Sequence, residues 1–273
     1  DSWIVGDKDK NVGIGTTNPA CVGHVVGAGN TARLSVGILS AYMLYGDGSN
    51  LTNAGGFNAD ADLNLMAANT CSGCNLDGST GCYNILLGAC AGKDIVEGIC
   101  GVMIGVMAGE NSTPGNNNPG VLIGACAGQG DSSGSAGRDN VFVGQEAGRC
   151  IGSGKGNIAL GMAALCAVAG ADGNVAIGCR AGNSVNSGTN NVFVGRYSGR
   201  YMTTGWDNVF LGRCAGLNNQ TGQNNIAAGF QAFRGSTTVA DNTGDFNVVL
   251  GYRAGYSNTS GCYNVFFGRY ASN

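Results

Sequence analysis

Eleven copies of one short pattern fill the chain from Asn84 onward, and a repeat of this length constrains the fold more tightly than any other feature of the sequence. Each copy runs through Asn, Val or Ile, an apolar residue, a second apolar residue, Gly, two variable residues, Ala or Ser, Gly, and a polar loop. Asn191-Val192-Phe193-Val194-Gly195-Arg196-Tyr197-Ser198-Gly199 is one copy and Asn208-Val209-Phe210-Leu211-Gly212-Arg213-Cys214-Ala215-Gly216 is the next. The Gly that follows the apolar triplet anchors the register at Gly88, Gly105, Gly124, Gly144, Gly161, Gly178, Gly195, Gly212, Gly229, Gly251 and Gly268. Successive spacings are 17, 19, 20, 17, 17, 17, 17, 17, 22 and 17 residues.

One triplet between Gly-rich turns is too short to bury a face by itself, so neighbouring copies must stack to share a core. The fold class this predicts is all-β, a parallel β-solenoid or β-roll of about eleven 17-residue coils, about 50 Å long at a strand spacing near 4.8 Å. Gly supplies the positive φ that tight corners need. The Asn that opens most copies suits a turn and can form a stacked amide ladder, although Gly101 and Gly120 replace it in copies two and three.

Strand side chains alternate faces. The expectation is that the first and third residues of each triplet point into the coil and the middle residue points out. The middle column carries no charge, so it would leave an apolar stripe of a kind that soluble monomers rarely expose. Self-association is the expected remedy, as a homotrimer with Leu86, Met103, Leu122, Phe142, Phe193, Phe210, Val249 and Phe266 at the interface.

Composition agrees with a buried, Gly-cornered chain. Of 273 residues 51 are Gly and 3 are Pro, without the every-third-residue Gly of collagen, and 43% are hydrophobic, which disfavours disorder. A net charge of -3 with 14 Lys and Arg lacks the basic bias of a general nucleic-acid binder. No apolar run approaches 18 residues, so a transmembrane helix is not expected. The first residues do not read as a secretory signal, and the start at Asp1 reads as a processed product or an internal piece.

Residues 1–80 follow a different rule. They contain Val12-Gly13-Ile14-Gly15-Thr16-Thr17-Asn18-Pro19, an alternating stretch at 32–39, and Gly46-Asp47-Gly48-Ser49-Asn50-Leu51-Thr52. The first and last of these motifs resemble segments that precede Gly-rich repeats in bacteriophage tail fibres, especially those of marine and cyanobacterial phages. The repeat itself is similar to the heads of trimeric autotransporter adhesins, since Asn174-Val175-Ala176-Ile177-Gly178 matches their pattern without its Ser and with a longer period. The expected organisation is an N-terminal fibre region at 1–57, a connector at 58–80 and the solenoid at 81–273. The resemblance implies a tail-fibre protein of a virion. Its partners would be itself, other tail components and a host-surface glycan or protein receptor, without nucleic acid or membrane insertion.

Candidate chemistry is sparse, and neither an enzyme nor a cofactor is expected. The 17 Asp and Glu are scattered, and Asp139 and Asp207 share one repeat slot, which reads as a recurring turn rather than a paired-carboxylate site. His24 is the single His, too little for a His-rich metal site on one chain. Cys71-Ser72-Gly73-Cys74 has the spacing of a zinc or redox pair but no second pair follows, and a disulfide or free thiols both fit. Cys150 and Cys166, in adjacent copies, are a candidate disulfide. Two surfaces are candidates for recognition. Arg196 and Arg213, with Tyr197, line one edge, and surplus residues at 110–119, 129–139 and 234–246 form loops. The first two loops bring Asn111, Asn116, Asn117, Asp131 and Arg138 together. A bacterial surface adhesin is the alternative function, and a polysaccharide-degrading tailspike is a third.

Overall fold

The computed structural model describes residues 4–6, 12–14, 24–25, 57–59, 65–67, 71–76, 81–96, 98–111, 120–130, 137–150, 152–167, 169–238 and 242–272. The chain divides into two compact units, 1–47 and 48–273. In the first, β1 (Ile4–Gly6) pairs antiparallel with β2 (Val12–Ile14), and β2 pairs parallel with β3 (His24–Val25). Residues 12–14 of the Val12 motif are therefore strand, while the rest of that motif, the stretch at 32–39 and the motif at 46–52 lie outside the described residues.

The second unit is one 13-stranded sheet in chain order. It starts with β4 (Phe57–Ala59), antiparallel to β5 (Leu65–Ala67). Every later pairing is parallel: β6 (Ile85–Leu87), β7 (Val102–Ile104), β8 (Val121–Ile123), β9 (Val141–Val143), β10 (Ile158–Leu160), β11 (Val175–Ile177), β12 (Val192–Val194), β13 (Val209–Leu211), β14 (Ile226–Ala228), β15 (Val248–Leu250) and β16 (Val265–Phe267). Twelve parallel strands thus stack as a β-solenoid, with no helix among the described residues. The sheet reaches past the expected start of the solenoid at 81, because Leu65 registers with Ile85 and Met66 with Leu86.

The direction of the side chains reverses the sequence expectation. Leu86, Met103, Phe142, Phe193, Phe210 and Val249 are fully buried, Leu122 is 3% exposed, and Phe266 packs partly buried against the same core. These eight residues fill the inside of a single chain, so they are not an oligomer interface. The outward columns are the first and third triplet positions, where Ile177 and Leu211 are each 40% exposed and Phe267 on the last strand is 80% exposed.

The physical reason is the Asn two positions before the middle residue. Strand parity puts Asn and the middle residue on one face, and the Asn amides are buried in an unbroken ladder. From Asn140 to Asn264, each Asn Oδ1 accepts the backbone N–H and the Nδ2–H of the next Asn at 2.8–3.2 Å. Nδ2 also donates to the carbonyl at the far side of the coil, as from Asn191 to Gly205 O at 2.8 Å. A buried amide whose donors and acceptor are all used escapes the desolvation cost of an unpaired one, and its fixed inward position carries the middle residue inward with it.

The anchor Gly is required by stacking. A Cβ on Gly195 would lie 2.7 Å from the carbonyl C and O of Gly212 in the next coil, a separation no side chain tolerates. The other corners are not reserved for Gly. Tyr197, Cys214, Gln231 and Arg253, each two after its anchor, take φ between 52° and 62°, at a cost of about 1–2 kcal/mol each that the surrounding stack offsets.

Candidate functional site

The corner that follows the anchor Gly presents three side-chain columns. Directly after the anchor stand Arg196, Arg213, Phe230, Tyr252 and Arg269, and the next column carries Arg180, Tyr197, Gln231, Arg253 and Tyr270. Five residues after the anchor come Arg200, Leu217, Arg234 and Tyr256. Coil stacking places members of one column about 4.8 Å apart. Arg196, Tyr197 and Arg213 are thus brought together as the sequence predicts. Arg200, Arg234, Phe230 and Tyr256 belong to the same surface, and counting five residues from each anchor would have found the two arginines.

Rings hold the guanidinium groups in place. Arg196 and Arg200 lie over Tyr197 at 4.6 and 4.9 Å, Arg213 over Phe230 at 4.4 Å, and Arg253 and Arg234 over Tyr256 at 5.2 Å each. Arg269 lies 4.9 Å over Tyr270. Arg196 Nη2 donates to the Tyr197 hydroxyl at 3.1 Å, and this bond, with the Arg196 charge, holds the Tyr197 phenol below its usual range. Some desolvation works to raise the Tyr270 phenol, but hydrogen bonds with Arg269 and Tyr252 and the charges of Arg269 and Arg253 outweigh it and lower it.

Two hollows open along this corner. One, of about 320 Å³, is lined by Arg196, Arg213, Phe230 and Gln231. The other, of about 560 Å³, lies between Tyr197, Arg200, Leu217, Asn218, Arg234 and Thr237. Thr237 belongs to the longest insertion. Its base is closed by Asn242, whose Oδ1 accepts the Ser236 N–H at 2.8 Å and whose Nδ2 donates to the Thr238 carbonyl at 2.9 Å.

The two earlier insertions leave the same corner from adjacent coils, and their bases meet where the Gly130 N–H donates to the Glu110 carbonyl at 2.8 Å. Asn111 donates its N–H to Asp94 Oδ2 at 3.2 Å, and the Arg138 carbonyl accepts the Gly156 N–H at 3.1 Å. Asn116, Asn117 and Asp131 lie outside the described residues.

Carboxylates of the solenoid serve turns. Asp172 Oδ1 accepts the Lys155 N–H at 2.7 Å and Asp245 Oδ1 accepts the Gln223 N–H at 2.8 Å. Asp139 and Asp207 share a positive φ of 58° and 55°, one turn recurring. No group of three or more potential metal ligands occurs among the described residues. Cys71 and Cys74 form a disulfide. Cys150 and Cys166 are neighbours, with the Cys150 N–H donating to the Cys166 carbonyl at 2.8 Å, and both are free thiols. Burial, then the neighbouring Cys150 and Glu146, push the Cys166 thiol up. His24 falls in β3, and no helix among the described residues is long and apolar enough to cross a membrane.

No family model, no curated protein and no solved structure matches this chain.

Proposed function

We propose that this chain is the rod of a non-enzymatic fibre, a tail-fibre protein of a phage particle, that assembles as a homotrimer and holds an attachment surface away from the particle. The observation that carries this reading is the outer face of the solenoid sheet. Its two columns run from Ile85 and Leu87 to Val265 and Phe267, and every one of their residues is apolar. With eleven strands about 4.8 Å apart, the face is about 50 Å long, and a continuous apolar strip of that length is the mark of an interaction surface. Charged residues are kept to the corners and loops, as a rod that packs along its sheet and meets solvent along its edges requires. The phage assignment rests on the resemblance of residues 12–19 and 46–52 to tail-fibre segments, and it implies a place in the virion beside other tail components, with a host-surface glycan or protein as receptor.

The adhesin reading is kept by one feature, the Asn174–Gly178 match to trimeric adhesin heads, and it predicts the same rod on a cell surface. Light scattering on the purified chain tests the shared part, a mass three times that of one chain. A well-folded monomer as the sole species would remove it. Electron microscopy of the source material separates tail-attached fibres from cell-attached filaments.

A further inference from the structure

The charges of this chain are segregated along its length. The chain as a whole is net -3, yet from Arg180 to the last residue it carries seven Arg against three Asp and no Lys or Glu. The same corner of the earlier coils balances its charges, with Lys93 3.7 Å from Glu110 and Arg149 3.6 Å from Glu146. Those two are the ion pairs among the described residues, and neither involves the seven later arginines.

Six of those seven arginines are oriented without being neutralised. Arg196, Arg200, Arg213, Arg234, Arg253 and Arg269 each lie over an aromatic ring, which fixes the guanidinium plane while leaving its charge unmatched. Arg200 Nε and Arg234 Nε are buried and without a hydrogen-bond partner, and both side chains line the 560 Å³ hollow. An anion seated in the hollow would meet charge-assisted bonds from the two guanidinium groups that line it.

We infer that this corner, from Arg196 to Arg269, is a binding ridge for a linear acidic polysaccharide, with carboxylate or sulfate groups seated on the guanidinium groups. The inference deepens the attachment part of the fibre reading and rests on it. Arg196 and Arg213 occupy the same slot of adjacent coils, about 4.8 Å apart, and Arg200 and Arg234 stand two coils apart, about 10 Å, a row of cations that suits a polymer with regularly placed anions. Neutral groups between them, Asn218, Gln231 and Thr237, offer partners for sugar hydroxyls.

Single-stranded nucleic acid is the other polyanion to weigh, and it needs open aromatic faces on which bases stack. Here the rings are occupied. Tyr197 carries two guanidinium groups, and Phe230 is held between Arg213 at 4.4 Å and Tyr252 at 5.3 Å.

The test is binding of the full chain to heparin, polygalacturonate, neutral dextran and an oligothymidylate on biosensor surfaces. Retention by heparin, by polygalacturonate or by both is expected, weakening as salt rises, and the two arms tell sulfate from carboxylate recognition. Arg196→Gln with Arg213→Gln, and separately Arg200→Gln with Arg234→Gln, should weaken binding about tenfold or more with unchanged thermal melting. Lys93→Gln with Arg149→Gln removes the same charge elsewhere and should leave binding unchanged. The inference is overturned if no acidic polysaccharide binds, if oligothymidylate binds as tightly, or if the Lys93/Arg149 variant loses as much as the ridge variants. Light scattering on the same samples keeps the two readings apart, since a trimer that binds no polyanion removes the ridge alone.

Discussion

Gly199 lies against the ring of Phe193, so closely that a Cβ at Gly199 would overlap Cδ1 and Cε1 of that ring. The same pairing recurs six residues apart through the solenoid, as in Leu122 with Gly128, where the added Cβ would stand 2.6 Å from Leu122 Cδ2. Two coils reverse it. Ala227 is followed by Phe233 and Ala159 by Leu165, all four fully or almost fully buried. In these coils one large side chain fills the interior, supplied from the strand or from the corner, whereas the coil of Ala176 and Gly182 supplies neither and is filled by Phe193 and Leu165 of the coils on either side.

This reciprocity predicts a compensating swap. Phe233→Gly alone should cost about 3–5 kcal/mol by opening a cavity, and Ala227→Phe alone about 1–3 kcal/mol by overpacking. The double variant restores the Phe–Gly arrangement of the other coils and should recover most of the loss. Thermal or denaturant unfolding of the three variants measures it, and a double variant as weak as the sum of the singles would refute the pairing.

Asn191→Leu probes the ladder. It strips the acceptor from the Asn208 backbone N–H and the donor from the Gly205 carbonyl, two buried groups whose loss should cost about 2–5 kcal/mol. Asn186→Leu, at an exposed position, is the control and should change stability little. Equal melting of the two variants would mean that the ladder contributes nothing.

Much of this architecture was legible in the sequence. Period, strand positions, parallel stacking and the Asn ladder all follow from spacing, because a coil that must stack on its neighbours has little freedom in length. The face of the triplet is hidden in the sequence for a specific reason. Leu86, Phe193 and Ala227 vary in size as an outer surface does, and the compensation by Gly92, Gly199 and Phe233 lies six residues away, outside the triplet. The phase was nevertheless present in Asn84 and Leu86, which are two apart and share a face. Arg200 and Arg234 do not stand out in the sequence because their neighbours in the column, Leu217 and Tyr256, hide the charge pattern, and because the stacking that joins residues 34 apart exists only in three dimensions.

Association and folding should separate by face. Val194→Asp with Leu211→Asp puts charge on the outer columns and is expected to yield a folded monomer, because an exposed carboxylate costs the coil little. Phe193→Asp buries a charge without a partner and should unfold the chain. Circular dichroism with light scattering distinguishes the cases, and a trimer that survives the outer double variant would place the interface elsewhere.

Cys150 and Cys166 should join faster under alkaline oxidation than at neutral pH. Their coils are about 4.8 Å apart, within the Cα range of a disulfide. The Cys166 thiol is held up by burial first, and by Cys150 and Glu146 next, so at a given pH it ionises less than an ordinary cysteine. Exposed Cys150 should react first with an alkylating reagent, and the bridge should form faster as pH rises. Peptide mapping without reduction reads the outcome, and oxidation no faster at high pH than at neutral pH would contradict it.

Tyr197 supplies a pH dependence with a definite sign. Its phenol is lowered by the hydrogen bond from Arg196 and then by that charge, so the folded chain favours the phenolate more than the unfolded chain does. The resulting stabilisation is present above the unfolded value near 10, and it is lost as pH falls through the lower folded value. Binding of an acidic polysaccharide runs the other way. A phenolate beside Arg196 cancels part of the cation that a polymer carboxylate or sulfate would use, so affinity should fall as pH rises through the Tyr197 titration. Phenolate absorbance should show a tyrosine ionising early that returns to the ordinary range in Arg196→Gln, and Tyr197→Phe should keep its affinity at the pH where the parent chain weakens. An affinity that declines identically in both chains would assign the pH dependence to another group.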